Sequence, residues 1–325
     1  MIKRQGKDAM LSYKQLEYIT RGDLITTRDF SPEVLGRIVK TLEIWTEKIK
    51  RCENFSFIKF GDGELRCMMG CEGGDQEYLY YKELAQKLHA AWYFFNTKEN
   101  IYIAKWNDHK PGMDGTTDTE RFLNDLISGT NVGVDFVNFE ILLQNTLTKQ
   151  KFDFYKTIKA SKRKKIYVGP GRILPGIKGF LNTDLAIEAP YPDTFRYYDK
   201  VLEWTLKEAC DNSIIMLSVG PVANLLIHDL VRYNPNITCL DMGSALEPLT
   251  FVNTREGQLP RVVVRKYYRK ILYKYGWMGC ISVYIEEILS TKAGLFLQHC
   301  CCRAFNLRSW KNLMCKLLKR LKWSK

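Results

Sequence analysis

Residues Phe57 to Gly70 read FIKFGDGELRCMMG. A short apolar run, Phe57-Ile58-Lys59-Phe60, stops at a glycine, and two carboxylates then flank a second glycine in Gly61-Asp62-Gly63-Glu64. An apolar run of this length that ends on glycine reads as a buried strand. Acids and flexible residues follow where that strand hands over to a helix, so the turn carries polar groups suited to chemistry.

The same rhythm recurs along the chain. Strands are expected at Phe55–Phe60, Ile101–Lys105, Asn131–Phe136, Lys165–Val168, Asp184–Glu188, Ile214–Ser218 and Thr238–Leu240. Helical patterns lie between them, near 78–96, 117–128, 138–159, 171–181, 194–210 and 221–233. Before the first strand, 31–50 opens with Ser-Pro-Glu, which suits a helix cap and first turn, and Leu35, Ile38, Val39, Leu42 and Trp45 follow at helical spacing. Short Ile- and Val-rich strands alternating with helices predict an α/β fold, a mostly parallel sheet covered on both faces.

The chain has 325 residues and a net charge of +13, and that charge is not spread evenly. Residues 255–325 hold 16 Lys and Arg against 3 Asp and Glu, so residues 1–254 are neutral. We expect a globular domain over 1–254 and a basic, partly amphipathic extension over 255–325, which meets whatever partner the charge serves. Ten scattered cysteines, with no matched CxxC pairs, exclude a recognisable zinc site and fit reduced thiols. The N-terminus shows no secretory h-region, and no apolar stretch is long enough to span a membrane, so a cytoplasmic setting is expected.

In a parallel sheet, ligands sit beyond the carboxyl ends of the strands. Those ends are Gly61-Asp62-Gly63-Glu64, then Trp106-Asn107-Asp108-His109-Lys110, Gly169-Pro170-Gly171-Arg172, Gly220-Pro221 and Asp241-Met242-Gly243-Ser244. Gly and Pro at strand-to-helix turns let backbone N–H groups converge where a phosphate is stabilised. Asp62 and Glu64, one glycine apart, suit one hard cation shared with phosphate oxygens. An equal reading has Asp62 cap the helix while Glu64 serves its dipole. His109 fits either a surface or a functional role, whereas His228, among Leu225, Leu226 and Leu230, reads as structural. No GxSxG, Walker A or HExxH pattern is present.

Together, FIKFGDGEL, IIMLSVGPVANLLIHDL and ITCLDMGSAL resemble the GT-D type of glycosyltransferase domain, over approximately residues 50–250. That family shows an R/K-F/Y-G-D-G-E strand end, a G-P-x-A-x-x-L-x-x-D-L helix start and a D-x-G strand end, in that order. The resemblance implies a Rossmann-like sheet, a nucleotide-sugar donor (a UDP-sugar above all) and a Mn²⁺ or Mg²⁺ ion at Asp62 and Glu64. It also implies that the Gly220-Pro221 loop lies along the nucleotide, with Asp241 and Gly243 bordering the donor pocket. The strand-end turns themselves make Gly61, Gly63, Gly169, Arg172 and Ser244 further candidates for binding the donor. Some relatives carry Gly-His after the last aspartate; here the chain reads Gly243-Ser244-Ala245-Leu246-Glu247, so Glu247 is the nearest acid.

Sugar transfer needs positive charge on the departing diphosphate, for which Lys59, Lys105, Lys110 and Arg172 are candidates, Arg172 favoured. An inverting transfer also needs a base, with Asp108, His109, Asp241 and Glu247 as candidates. In the extension, Trp310, Leu313, Met314, Leu317, Leu318 and Leu321 share a helix face over 309–323, and lysines and Arg320 fill the remainder. Such a helix suits an anionic membrane surface or docks on the domain. Three functions follow: a peripheral-membrane hexosyltransferase acting on a glycan or lipid-linked acceptor, a transferase with a nucleic-acid acceptor, and a scaffold protein that binds nucleotide-sugar without turnover.

Overall fold

The apolar runs at Ser56–Lys59, Lys165–Gly169, Ile214–Leu217 and Thr238–Asp241 become strands buried along their whole length. A computed structural model of the chain describes residues 25–26, 30–71, 81–105, 118–129, 135–143, 146–190 and 193–247. The chain divides into two compact units, Met1–Ile271 and Leu272–Lys325, and all described residues lie in the first.

The strands are β1 (Ile25–Thr26), β2 (Ser56–Lys59), β3 (Ile101–Lys105), β4 (Asp135–Asn138), β5 (Thr146–Leu147), β6 (Lys165–Gly169), β7 (Leu185–Glu188), β8 (Ile214–Leu217) and β9 (Thr238–Asp241). The helices are α1 (Pro32–Lys50), α2 (Asp62–Met68), α3 (Lys82–Phe95), α4 (Asp118–Ser128), α5 (Lys149–Ala160), α6 (Leu174–Leu181), α7 (Tyr198–Glu208) and α8 (Val222–Tyr233). Seven strands form one sheet in the order β4-β3-β2-β9-β8-β6-β7, every neighbouring pair parallel. β1 and β5 form a separate antiparallel pair.

Alternation along β2 sends its side chains to opposite faces. Phe57, with Phe55 just before the strand, meets Trp45 of α1, whose ring also contacts Tyr102 and Phe154. Ile58 and Phe60 join the other core with Ile103, Leu88, Trp92, Leu226 and Leu230. Helices therefore cover both faces, α1, α5 and α6 on one and α2, α3, α7 and α8 on the other. The α/β expectation holds.

The helix expected over 138–159 does not form as one piece. Asn138 ends β4, and its Oδ1 accepts the Glu140 N–H at 2.8 Å, which starts a single 3₁₀ turn over Phe139–Ile141. β5 follows, and only then does Thr148 cap α5, its Oγ1 accepting the Lys151 N–H at 3.0 Å. The buried run Ile141, Leu142, Leu143 and Leu147 fits no helical face. Lys151 is itself buried and donates to the carbonyls of Leu143 (2.5 Å) and Thr146, which fastens the irregular segment; desolvation pulls its pKa down to about 7. The patterns at 171–181 and 194–210 likewise open with 3₁₀ turns before α6 and α7. Residues 131–134 of the expected third strand lie outside the described residues, and β4 runs to Asn138.

Candidate active site

At the end of β2 the chain turns through Gly61, which is the N-cap of α2 in extended conformation (φ −84°, ψ −173°). Asp62 is thus the first residue of the helix and does not cap it. The cap bond comes from Glu64, whose Oε2 accepts the Gly61 N–H at 2.9 Å, one half of a capping box. Gly61 is required for space: a Cβ there would lie 2.9 Å from the Phe139 ring and 3.1 Å from Glu64 Oε2. Gly63 is buried in the first turn, while Asp62 and Glu64 are half-buried.

Asp241 ends β9, the strand hydrogen-bonded beside β2. Its Oδ1 accepts the Gly243 N–H at 2.9 Å and lies 3.3 Å from Lys59 Nζ, in an ion pair almost closed to water. Gly243 adopts φ +47°, and a Cβ there would overlap Lys59 Nζ, so glycine serves both the left-handed turn and the lysine's approach. Lys59 Nζ also stands 5.7 Å from the centre of the Phe139 ring.

Three charged groups therefore share one desolvated corner. Burial raises the Glu64 pKa to about 7, with the negative charge of Asp241 adding to the rise. Burial also raises Asp241, opposed by Lys59. Two carboxylates whose charges oppose each other, with one lysine paired to Asp241, leave an excess of negative charge that a cation relieves. Asp62 adds to it as a further charge near Glu64. Among the described residues no three of His, Cys, Asp and Glu form a ready-made metal cage. Mg²⁺ and Mn²⁺ at phosphate-transfer sites use one or two carboxylates plus ligand phosphates, so this donor set fits such an ion.

Further along the edge, β6 continues outward to β7, whereas β8 continues the other way to β9. The crevice between β6 and β8 is therefore a topological switch point, where ligands of open α/β sheets bind. Both Gly-Pro turns flank it. Gly220, at φ +58°, and Pro221 lead into α8, and Gly169-Pro170-Gly171 leads into α6. A Cβ on Gly169 would collide with the Tyr167 side chain, and one on Gly171 would overlap the Glu188 carboxylate. Glu188 sits at the end of β7, so an acid faces the second turn, an arrangement the Gly-Pro pattern did not announce.

Asn224 was not among the sequence candidates. It is fully buried in the first turn of α8, and its Nδ2 donates to the Lys59 carbonyl at 2.8 Å, tying the α8 start to the end of β2. Asn224 Oδ1 and Ser218 Oγ, both buried at this end of the sheet, have no hydrogen-bond partner among the described residues. A polar residue inside the apolar run Val222-Ala223-Asn224-Leu225-Leu226 was the available signal.

The edge therefore gathers Lys59, Gly61, Glu64, Asp241 and Gly243 through shared contacts, with Asp62 adjacent. Ser244 and Glu247 follow in a turn closed by the Glu247 N–H to Ser244 carbonyl bond at 3.0 Å. Asp108, His109 and Lys110 lie outside the described residues, as do the side chains of Lys105 and Arg172 and the whole of 248–325. His228 lies with its Nδ1 2.6 Å from Asp229 Oδ1 and its ring 4.6 Å from that of Phe94. Among the described residues no helix is long and apolar enough to cross a membrane.

No protein-family model matches the chain, and no curated protein matches it in sequence. Among solved structures it is similar to a chain described as a selenomethionine-substituted domain of unknown function 1792 (19% identity, 66% of this chain and 83% of that one, TM-score 0.46). A second is described as the same domain with "a distinct glycosyltransferase fold" (18% identity, 66% and 83%, TM-score 0.46). A third is "a new glycosyltransferase (DUF1792) from Streptococcus sanguinis" (16% identity, 63% and 80%, TM-score 0.49).

Proposed function

We propose that the chain is a glycosyltransferase that moves a hexosyl group from a nucleotide-sugar, a UDP-sugar, to a glycan or lipid-linked acceptor. One observation carries the reading. Lys59 and Glu64, on one turn, meet Asp241 from the far end of the described chain in one desolvated corner at the carboxyl ends of adjacent parallel strands. A switch point flanked by two Gly-Pro turns opens along the same edge.

Asp62 and Glu64 would hold a Mn²⁺ or Mg²⁺ ion, which when bound supplies Lewis-acid stabilisation of negative charge on the diphosphate. The chain's own groups do the rest. Gly61, fixed by Glu64 and Phe139, keeps the turn tight, so that Asp62 is presented at a helix start. The N–H groups at the start of α8 favour an anion beside Gly220 and Pro221. Lys59 contributes positive charge behind the acids, held in place by Asp241. Because Asp241 Oδ1 is committed to Lys59 and Gly243, we assign the acceptor's proton to one of Asp108, His109 and Glu247. The amphipathic stretch 309–323 serves an anionic membrane surface in this reading, keeping the enzyme beside a lipid-linked acceptor.

The test is hydrolysis of UDP-, GDP- and TDP-sugars with Mn²⁺, comparing wild type with Asp62→Ala. Metal-dependent turnover that the substitution abolishes is expected. Absence of turnover with every donor, or an unaffected variant, overturns the proposal. Removing residues 305–325 is expected to abolish co-sedimentation with phosphatidylserine vesicles, and unchanged binding would remove the membrane from the reading.

A further inference from the structure

A groove of about 700 Å³ runs beside the outer edge of the sheet, between β7 and α7. One wall is formed by Tyr197, which caps α7 at the end of its 3₁₀ turn, and by Lys200, Trp204 and Lys207 of α7, which follow three and four residues apart. Both aromatic residues are exposed, Tyr197 to 45% and Trp204 to 42%. Seven positions separate them, two helical turns or about 10 Å along the axis, a span longer than one hexose ring. Lys200 Nζ lies over one face of the Trp204 indole, 4.8 Å from the ring centre, which leaves the other face for a sugar ring. Across the groove, β7 offers half-buried Leu185 and, at its carboxyl end, exposed Glu188. Glu188 is the acid that faces Gly171, so the groove opens onto the same strand ends as the candidate active site.

We infer that this groove binds an extended saccharide, two of its rings stacked on Tyr197 and Trp204 and its hydroxyls bonded by Glu188, Lys200 and Lys207. Sugar rings present flat C–H faces and a rim of hydroxyls, and the groove matches both, with flat aromatic surfaces set between hydrogen-bonding ends of either polarity. A protein partner fits less well, because the core of such an interface is depleted of charge whereas lysine alternates with each ring here. The four-residue edge strand is also short for pairing with another chain. That the bound saccharide is the acceptor rests on the transferase reading. Saccharide binding as such does not.

The test is titration calorimetry of the full chain with chitohexaose, maltohexaose and a hyaluronan hexasaccharide, which between them cover α and β linkages and neutral and acidic rings. Saturable binding of at least one is expected, weakened tenfold or more by Trp204→Ala and by Tyr197→Ala and largely restored by Trp204→Phe. Both positions are exposed, and an unchanged melting temperature checks that the variants fold. Binding of none of the three, or binding indifferent to both alanine substitutions, overturns the inference. So does self-association that Trp204→Ala abolishes without any saccharide binding, which assigns the groove to a second copy. Donor hydrolysis read on the same protein separates the two claims: saccharide binding without hydrolysis retains the groove and removes the transferase, and hydrolysis without saccharide binding does the reverse.

Discussion

The two ends of the sheet both bury charge, and they treat it in opposite ways. At the amino end, Arg163 donates to the Asn212 carbonyl (2.6 Å), Asn54 Oδ1 (2.6 Å), Thr238 Oγ1 (2.8 Å) and the Ser213 carbonyl (3.3 Å). Those acceptors sit at or just before the starts of β2, β8 and β9, and Arg163 itself precedes β6, so one guanidinium ties the four central strands together. Neighbouring Lys165 donates to the Ser161 and Arg163 carbonyls at 2.6 and 3.2 Å. At the carboxyl end, Glu64 and Asp241 crowd their charges against a single lysine, and both carboxyls are driven upward by burial. Neutral oxygens surrounding a cation build stability. Like charges held together withhold it, which is how a binding site differs from a structural knot.

The contrast is sharpest at Arg163. Arg163→Ala removes four hydrogen bonds, two of them to buried Ser213 and Thr238, and is expected to lower unfolding stability by about 3 kcal/mol in urea titrations. A loss below about 1 kcal/mol would show that the amino end is not the structural anchor. Lys59→Met is expected to cost about 2–3 kcal/mol near neutral pH, less than Arg163 because Asp241 can take up a proton once its partner is gone. Adding Asp241→Asn to Lys59→Met should recover most of that loss, and a purely additive double variant would dissolve the pair.

Glu64 gives a smaller, pH-dependent effect. Its folded pKa is raised from 4.5 to about 7, so between those values the folded chain holds a proton that the unfolded chain has released. Stability from this group is therefore present at pH 4 and is lost as pH rises toward 7. Glu64→Gln keeps an acceptor for Gly61 without the charge. It is expected to match wild type at pH 4 and to exceed it at pH 8 by roughly 1–2 kcal/mol, after allowance for partial exposure. Thermal melts that stay parallel across the range would contradict the crowding. Smallest of all, Asp62→Ala should shift stability by less than about 0.5 kcal/mol, since its half-buried carboxylate is not the helix cap. A large loss would make Asp62 a structural acid after all.

Much of this frame was legible in the residues because short continuous apolar runs between helical patterns specify buried parallel strands. The carboxyl ends at Gly61, Gly169, Gly220 and Asp241 followed directly. The segment from Asn138 to Thr148 was not legible: its buried leucines mimic a helix, and only two side-chain caps and the buried ammonium of Lys151 divide it. The pairing of Lys59 with Asp241 was equally hidden, because strand order is set by crossovers that local sequence does not encode. The cap assignment for Asp62 failed by one residue, since Glu64 reaches back to Gly61 and leaves no capping duty for the first acid.

The adjacency of β2 and β9 has a consequence for synthesis. These strands open and close the described sheet in chain order, and Lys59 meets Asp241 only after everything between them has emerged. A nascent chain that stops short of residue 238 can assemble β2-β3-β4 and β6-β7-β8 as separate ribbons, with nothing at their seam to receive a ligand. The corner is thus completed by the last strand of the described sheet, and a ligand bound there would report that the two halves have been joined.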